Sequence, residues 1–202
     1  MREKPLHKAN INPDELLGEG YEKKVFNDPE NEKKVVGVFK PNVVLELNEN
    51  LMTARFYFTK ILHILFPDNI PDWHHAEIKA NAYVADKVII DDKRTKDRDA
   101  KEVMRDKSIF FQKLSAIIDE GEYHLGNFCV DTKGNLVFLD SFNPWVLYSN
   151  DIRQYFSVKK LCAAIAAIPD RLKRQEAENY YARLLVLRDT EFEKFRSKKK
   201  FL

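Results

Sequence analysis

The sequence predicts an α+β fold in two lobes, with strands and one helix first and a mostly helical half after. Three patterns predict it. Strand-like segments run over Leu16 to Val25 and Lys34 to Lys40, parted by the turn residues Asn27-Asp28-Pro29-Glu30-Asn31. Apolar residues at Leu51, Ala54, Phe58, Ile61, Leu62 and Leu65 recur at three- and four-residue steps, which is helical spacing. The same spacing returns at Val158, Leu161, Cys162, Ile165 and Ile168 near the end of the chain.

Each element follows from local chemistry. Residues 1–15 are polar and read as a terminal arm. In the strand at 34–40, Val36, Val38 and Lys40 share one face and Val35, Gly37 and Phe39 the other, by the two-residue period. The helix at about 47–66 has Asn48 as a cap and Glu49 in its first turn, where the helix dipole favours a negative charge; Pro67 and Pro71 end it. Two strand candidates follow, Ala76 to Tyr83 and Tyr83 to Ile90. The charged run Asp91 to Asp99 reads as a loop, and a second helix as spanning Ala100 to Asp119. A hairpin pairs Asn127–Val130 with Leu136–Leu139 across Asp131-Thr132-Lys133-Gly134-Asn135. Helices at 158–168 and 171–195 close the chain. This order divides it into an arm (1–15), a sheet-bearing lobe (16–90) and a helical lobe (91–202), with a crevice near residues 84–92.

Composition narrows the function. The chain has 202 residues, enough for a sizeable core, and 44% are apolar. The net charge is +2, so the whole protein is not an obvious polyanion binder, though a local basic patch stays open; the basic run Lys194 to Lys200 reads as a solvated end and not as a nucleic-acid or membrane contact. Two cysteines, Cys129 and Cys162, offer neither a disulfide framework nor zinc spacing. The N-terminus lacks the apolar core of a secretion signal, and no apolar run has the length of a membrane span. A soluble cytoplasmic protein is expected. His74-His75 lacks a third ligand at a metal-binding spacing and reads as a solvated loop.

The chemistry concentrates in two places. One is Glu120-Gly121-Glu122-Tyr123-His124-Leu125-Gly126-Asn127, followed by Val137-Phe138-Leu139-Asp140. An Asn amide oxygen and an Asp carboxylate are hard ligands suited to Mg²⁺, and a tight hairpin brings both to one end of two short strands. The other is Leu17-Gly18-Glu19-Gly20-Tyr21-Glu22-Lys23-Lys24-Val25, where glycine lets backbone approach a phosphate, followed by Val36-Gly37-Val38-Phe39-Lys40.

These segments resemble the protein-kinase-like superfamily, and most closely its compact small-molecule kinases of the aminoglycoside-phosphotransferase type, whose loop reads H-G-D-x-H-x-G-N. Gly121, His124, Gly126 and Asn127 match that loop. Asp140 stands 140 − 127 = 13 residues beyond Asn127, as the intervening hairpin requires, and Asp140-Ser141-Phe142 occupies the D-F-G position. The resemblance implies a nucleotide site taking ATP with Mg²⁺. Asn127 and Asp140 would hold the metal, and Lys40 the phosphates together with Gly18 and Gly20 of a glycine-rich strand-turn. Glu49, with Glu46 in reserve, would pair with Lys40. Glu122 would act as base toward the acceptor hydroxyl, and His124 would assist. The implied function is phosphotransfer from ATP to a small molecule or an unusual protein acceptor; the alternative is a pseudokinase-type nucleotide-binding or regulatory module. The acceptor, ATP against GTP, and phosphoryl against nucleotidyl transfer stay open.

The departures are specific. The family's catalytic Asp is Glu122 here, and the added methylene moves the carboxylate by about 1 Å, a displacement that can cost roughly a hundredfold in rate. Glu120 replaces the first His, and Lys23 stands where the third glycine would. Only about ten residues part Asp140 from Asp151, and no A-P-E follows, which leaves no room for the activation segment of a conventional protein kinase.

Overall fold

A computed structural model describes residues 12–40, 49–77, 81–118, 124–140, 142–147 and 152–199. The fold is mixed α+β. Strands β1 (Leu16–Glu19), β2 (Lys23–Asp28) and β3 (Asn31–Phe39) lead to helix α1 (Glu49–Leu65), then β4 (Trp73–Glu77) and β5 (Ala82–Asp86). These five strands form one antiparallel sheet in the order β1-β2-β3-β5-β4.

The single strand expected over Leu16 to Val25 is two strands. The chain reverses at Gly20-Tyr21-Glu22, where Gly20 N–H donates to the Lys23 carbonyl at 2.9 Å and Lys40 N–H to the Glu22 carbonyl at 2.8 Å. The next reversal matches its turn chemistry, since Asp28 Oδ1 accepts from Glu30 N–H at 3.0 Å. The last hairpin turns before Ala82 instead of at Tyr83, with Asn81 in the left-handed region at φ 51°.

The two faces of β3 bury different neighbours, as its two-residue period requires. Val36 packs with Ala82 on one face; Phe39 meets Met52, Trp73, Tyr83 and Ala85 on the other. On that second face the Tyr83 ring lies flat on Trp73, 3.9 Å between centroids, and covers the backbone of Gly37. A Cβ added at Gly37 would stand 2.2 Å from Tyr83 Cζ, and the stacked ring cannot swing aside. Gly37→Ala should therefore cost about 1–3 kcal/mol of stability as overpacking. A urea titration in which the variant matches the native unfolding midpoint would refute this.

Helix α1 buries Leu51, Ala54, Phe58, Ile61 and Leu62 as its spacing predicts, and Pro67 follows its end. It packs on the long C-terminal helix, where Tyr57 and Tyr180 lie 5.8 Å apart and Asn50 Nδ2 donates to the buried Glu191 at 2.6 Å.

Beyond β5 come α2 (Asp92–Lys96), α3 (Arg98–Lys107) and α4 (Ile109–Ile117). The charged run expected as a loop is thus largely helical, because its aspartates are caps. Asp91 accepts from Arg94 N–H and Asp97 from Ala100 N–H. Ser108 accepts from Phe111 N–H and divides the expected second helix into α3 and α4.

The expected hairpin is present as β6 (Phe128–Val130) and β7 (Leu136–Phe138), in the register Phe128↔Phe138, Cys129↔Val137, Val130↔Leu136. Asp131 closes it by accepting from Lys133 and Asn135 N–H, and Gly134 takes φ 88°. A second small pair, β8 (Trp145–Leu147) with β9 (Ile152–Gln154), precedes α5 (Val158–Ala166) and α6 (Arg171–Lys199).

The main core joins α1, α4, the β6–β7 hairpin, α5 and α6 around Phe58, Leu114, Phe128, Phe138, Phe142 and Leu161. Phe138 and Phe142 stack with centroids 4.1 Å apart, which anchors the chain on both sides of Asp140. Hydrogen bonds tie the connection from β5 to α2 onto the hairpin. Asp91 N–H donates to Val130 and Thr132 N–H to the Ile89 carbonyl. A cleft of about 270 Å³ lies here, lined by Ile70, Asp72, Lys87, Ile89, Asp131 and Lys133 among others. No helix among the described residues is long and apolar enough to cross a membrane.

Candidate functional site

The hairpin brings the backbones of Asn127 and Asp140 to the same end. Asn127 ends a short 3-10 turn, Leu125–Asn127, and its carbonyl accepts from Leu139 N–H at 2.8 Å. That bond extends the β6–β7 pairing by one step and puts Asp140 one residue beyond the position opposite Asn127. His124 caps the 3-10 turn, its Nδ1 accepting from Gly126 N–H at 3.1 Å, so its role in this geometry is local. Glu122 lies outside the described residues, as does the Glu46 alternative.

The cation that reaches Asp140 comes from β2. Lys23 Nζ donates to Asp140 Oδ1 at 2.7 Å and lies 3.5 Å from the Leu139 carbonyl. It stands 5.6 Å from the Tyr83 ring centroid. Burial works against a charge on Lys23, but Tyr83 and Asp140 outweigh it and hold the ammonium above the ordinary lysine range. A charge kept inside by one carboxylate bridges the five-stranded sheet and the β6–β7 hairpin.

Lys40 takes a different partner. Its Nζ lies 2.7 Å from Glu19 Oε1, and the hydrogen bond from Lys40 holds the Glu19 carboxyl below its ordinary value. Glu49 is exposed in the first turn of α1, and among the described residues no ion pair joins it to Lys40. Gly18 and Gly20 line the β1–β2 reversal with open space beside them. A Cβ added at Gly18 would meet nothing within 4 Å, and one at Gly20 only the Lys23 carbonyl at 3.9 Å.

The register explains why Lys23 and not Lys40 faces Asp140. Lys23 pairs with Phe39 across β2 and β3, and cross-strand partners share a face. Phe39, Gly37 and Tyr83 lie on that face; Lys40, one residue past Phe39, is directed to the other.

Arg55 is the second cation missed in the sequence. It sits on the apolar stripe of α1, between Leu51 and Phe58, and is 2% exposed. Its Nε donates to Asn143 Oδ1, and Nη1 lies 3.4 Å from Glu22 Oε2. The signal was present: a charge at helical spacing among apolar residues must find a partner inside.

The other reactive groups are accounted for locally. His74 Nε2 lies 2.6 Å from Asp86 Oδ1, on β4 and not in a loop as expected. Cys129 is buried, and desolvation pushes its thiol up to about 12, so it is inert packing. No group of three or more His, Cys, Asp or Glu side chains that could hold a metal occurs among the described residues. A metal on Asn127 and Asp140 would therefore need oxygens from elsewhere, such as phosphate or water. The chain matches no protein-family model, and no curated protein matches it significantly.

Proposed function

We propose that this chain is an ATP- and Mg²⁺-dependent phosphotransferase of two-lobed, protein-kinase-like architecture, acting on a hydroxyl of a small molecule or an unusual protein acceptor. The observation that carries the reading is the Lys23–Asp140 pair at 2.7 Å, one residue along the hairpin from the Leu139–Asn127 backbone bond. A buried ammonium on a carboxylate, with an asparagine one step away along the hairpin, supplies parts that phosphate and a divalent cation require.

In this reading residues 16–90 form the lobe that covers the nucleotide and residues 91–202 the lobe that carries the hairpin. The backbone of Gly18 to Gly20 and the Lys23 ammonium hold phosphate oxygens. Mg²⁺ bound at Asn127 and Asp140 would neutralise phosphate charge. Glu122 accepts the acceptor's proton as its oxygen attacks the γ-phosphorus, and the bond to the β-phosphate oxygen breaks to release ADP. Lys23 exchanges Asp140 for phosphate when nucleotide enters, so its charge stays compensated throughout.

Two departures favour a binding module without transfer: Glu122 stands where the family has its catalytic Asp, and Lys23 where it has the third glycine. Calorimetric titration with ATP, with and without Mg²⁺, combined with a phosphate-release assay separates the readings. Binding that requires Mg²⁺, with release of ADP, supports the enzyme; Mg²⁺-dependent binding without turnover across varied acceptors supports the module. Absence of nucleotide binding defeats both.

A further inference from the structure

We propose that Arg55 is a positioning residue: by drawing Glu22 inward it holds the Gly20–Glu22 reversal closed, and so keeps Lys23 aimed at Asp140. This rests on the nucleotide-site reading above for its purpose, though not for its geometry.

Arg55 touches both flanks of the pair. Glu22 immediately precedes Lys23, and Asn143 stands three residues after Asp140. The guanidinium also lies 5.0 Å from the centroid of Phe39, the residue paired with Lys23 across the sheet. One side chain from α1 thus reaches the β1–β2 reversal, the segment after Asp140 and the strand between them. A guanidinium keeps its proton at any accessible pH, so at 2% exposure it cannot give up these partners cheaply.

Among the described residues, the reversal has few other restraints besides the ion pairs of Glu19 at its edge. Its backbone is fixed by the Gly20 N–H to Lys23 and Lys40 N–H to Glu22 bonds, both at its base. Tyr21 at its tip is 85% exposed, and Gly18 and Gly20 have open space beside them. Among the described residues, the Glu22 side chain links the reversal inward to α1. Releasing it frees the first residue of β2 to swing, and Lys23 is that residue.

Lysine acetylation read by peptide mass spectrometry tests this. Buried, ion-paired Lys23 should react slowly in the native protein. Lys96, whose side chain is 79% exposed, sets the fast reference, and buried Lys101, which donates to the Phe128 carbonyl, reports general loosening. In Glu22→Ala and Arg55→Met, Lys23 acetylation should rise about tenfold relative to Lys96 while Lys101 stays unchanged. An unchanged Lys23 rate overturns the proposal, and so does an equal rise at Lys101. If Arg55→Met fails to fold, Glu22→Ala decides alone, because Glu22 lies in a surface turn outside the core. MgATP should slow Lys23 acetylation in the native protein. Lack of that protection, with the variants still accelerating, would remove the nucleotide reading and leave the coupling of Arg55 to Lys23 standing.

Discussion

Replacing Lys23 with methionine should weaken MgATP binding by roughly ten- to a hundredfold, whereas Lys40→Met should change it by less than about threefold. The difference lies in where each ammonium sits. Lys23 is buried against Asp140 at 2.7 Å, in surroundings where a charge-assisted hydrogen bond is strong. Lys40 pairs with Glu19, whose side chain is 42% exposed, and water screens that interaction. Titration calorimetry on the two variants gives the comparison, and equal losses, or a larger one for Lys40→Met, would overturn the assignment.

Lys23 also leaves a mark on stability that needs no nucleotide. Its pKa is raised above 10.5 in the folded protein. The folded state therefore binds the proton more tightly than the unfolded chain. The stability so gained is complete below 10.5 and drains away as pH rises through the folded value. Tyr180 and Tyr181, raised mainly by burial, add a loss of the same sign in the alkaline range. The difference between native protein and Lys23→Met in melting temperature, followed across 10.5, isolates the lysine. That difference should shrink as the pH climbs.

Much of the fold was legible because its signals are local. The spacing from Leu51 to Leu65 identified α1, and Asp131 with Gly134 identified the hairpin turn that pairs Phe128 with Phe138. The reversal at Gly20-Tyr21-Glu22 was half legible, since the run from Leu16 to Val25 reads as a single strand by its pattern and only the resemblance to a glycine-rich strand-turn marks a turn within it. Asp91 to Asp99 misled for another reason: its charges suggested solvent, but Asp91 and Asp97 serve as helix caps.

The candidate site divides in the same way. The hairpin that ends at Asn127 and Asp140 was readable because it is short. The choice between Lys23 and Lys40 depended on which residue of β2 lies opposite Phe39, and strand register is not written in any one strand. The partner from α1 was sought among Glu46 and Glu49. Glu46 lies outside the described residues and no ion pair joins Glu49 to Lys40 among them, while the helix offers Arg55 toward a carboxylate on the sheet side, Glu22. An ion pair sought with one polarity is easily missed when its charges are exchanged between elements.

Asp140→Asn should cut any ATP turnover at least about a hundredfold and remove most of the Mg²⁺ dependence of nucleotide binding. The amide keeps an oxygen where Lys23 Nζ can donate, so the fold's bridge between sheet and hairpin persists while the negative charge is lost. Leaving the Lys23 ammonium without its carboxylate should cost about 1–3 kcal/mol, toward the lower end because the Asp140 side chain is 29% exposed. Denaturant unfolding measures that cost separately from the functional loss. Asp140→Ala removes the acceptor as well, so it should unfold earlier than Asp140→Asn while losing Mg²⁺-dependent binding to the same degree. The comparison discriminates because a purely structural Asp140 predicts functional loss in step with stability, whereas a metal-holding Asp140 predicts equal functional loss in two variants of unequal stability. If Asp140→Asn retains both Mg²⁺-dependent binding and turnover, Asp140 is only the counter-ion of Lys23, and the phosphotransferase reading fails.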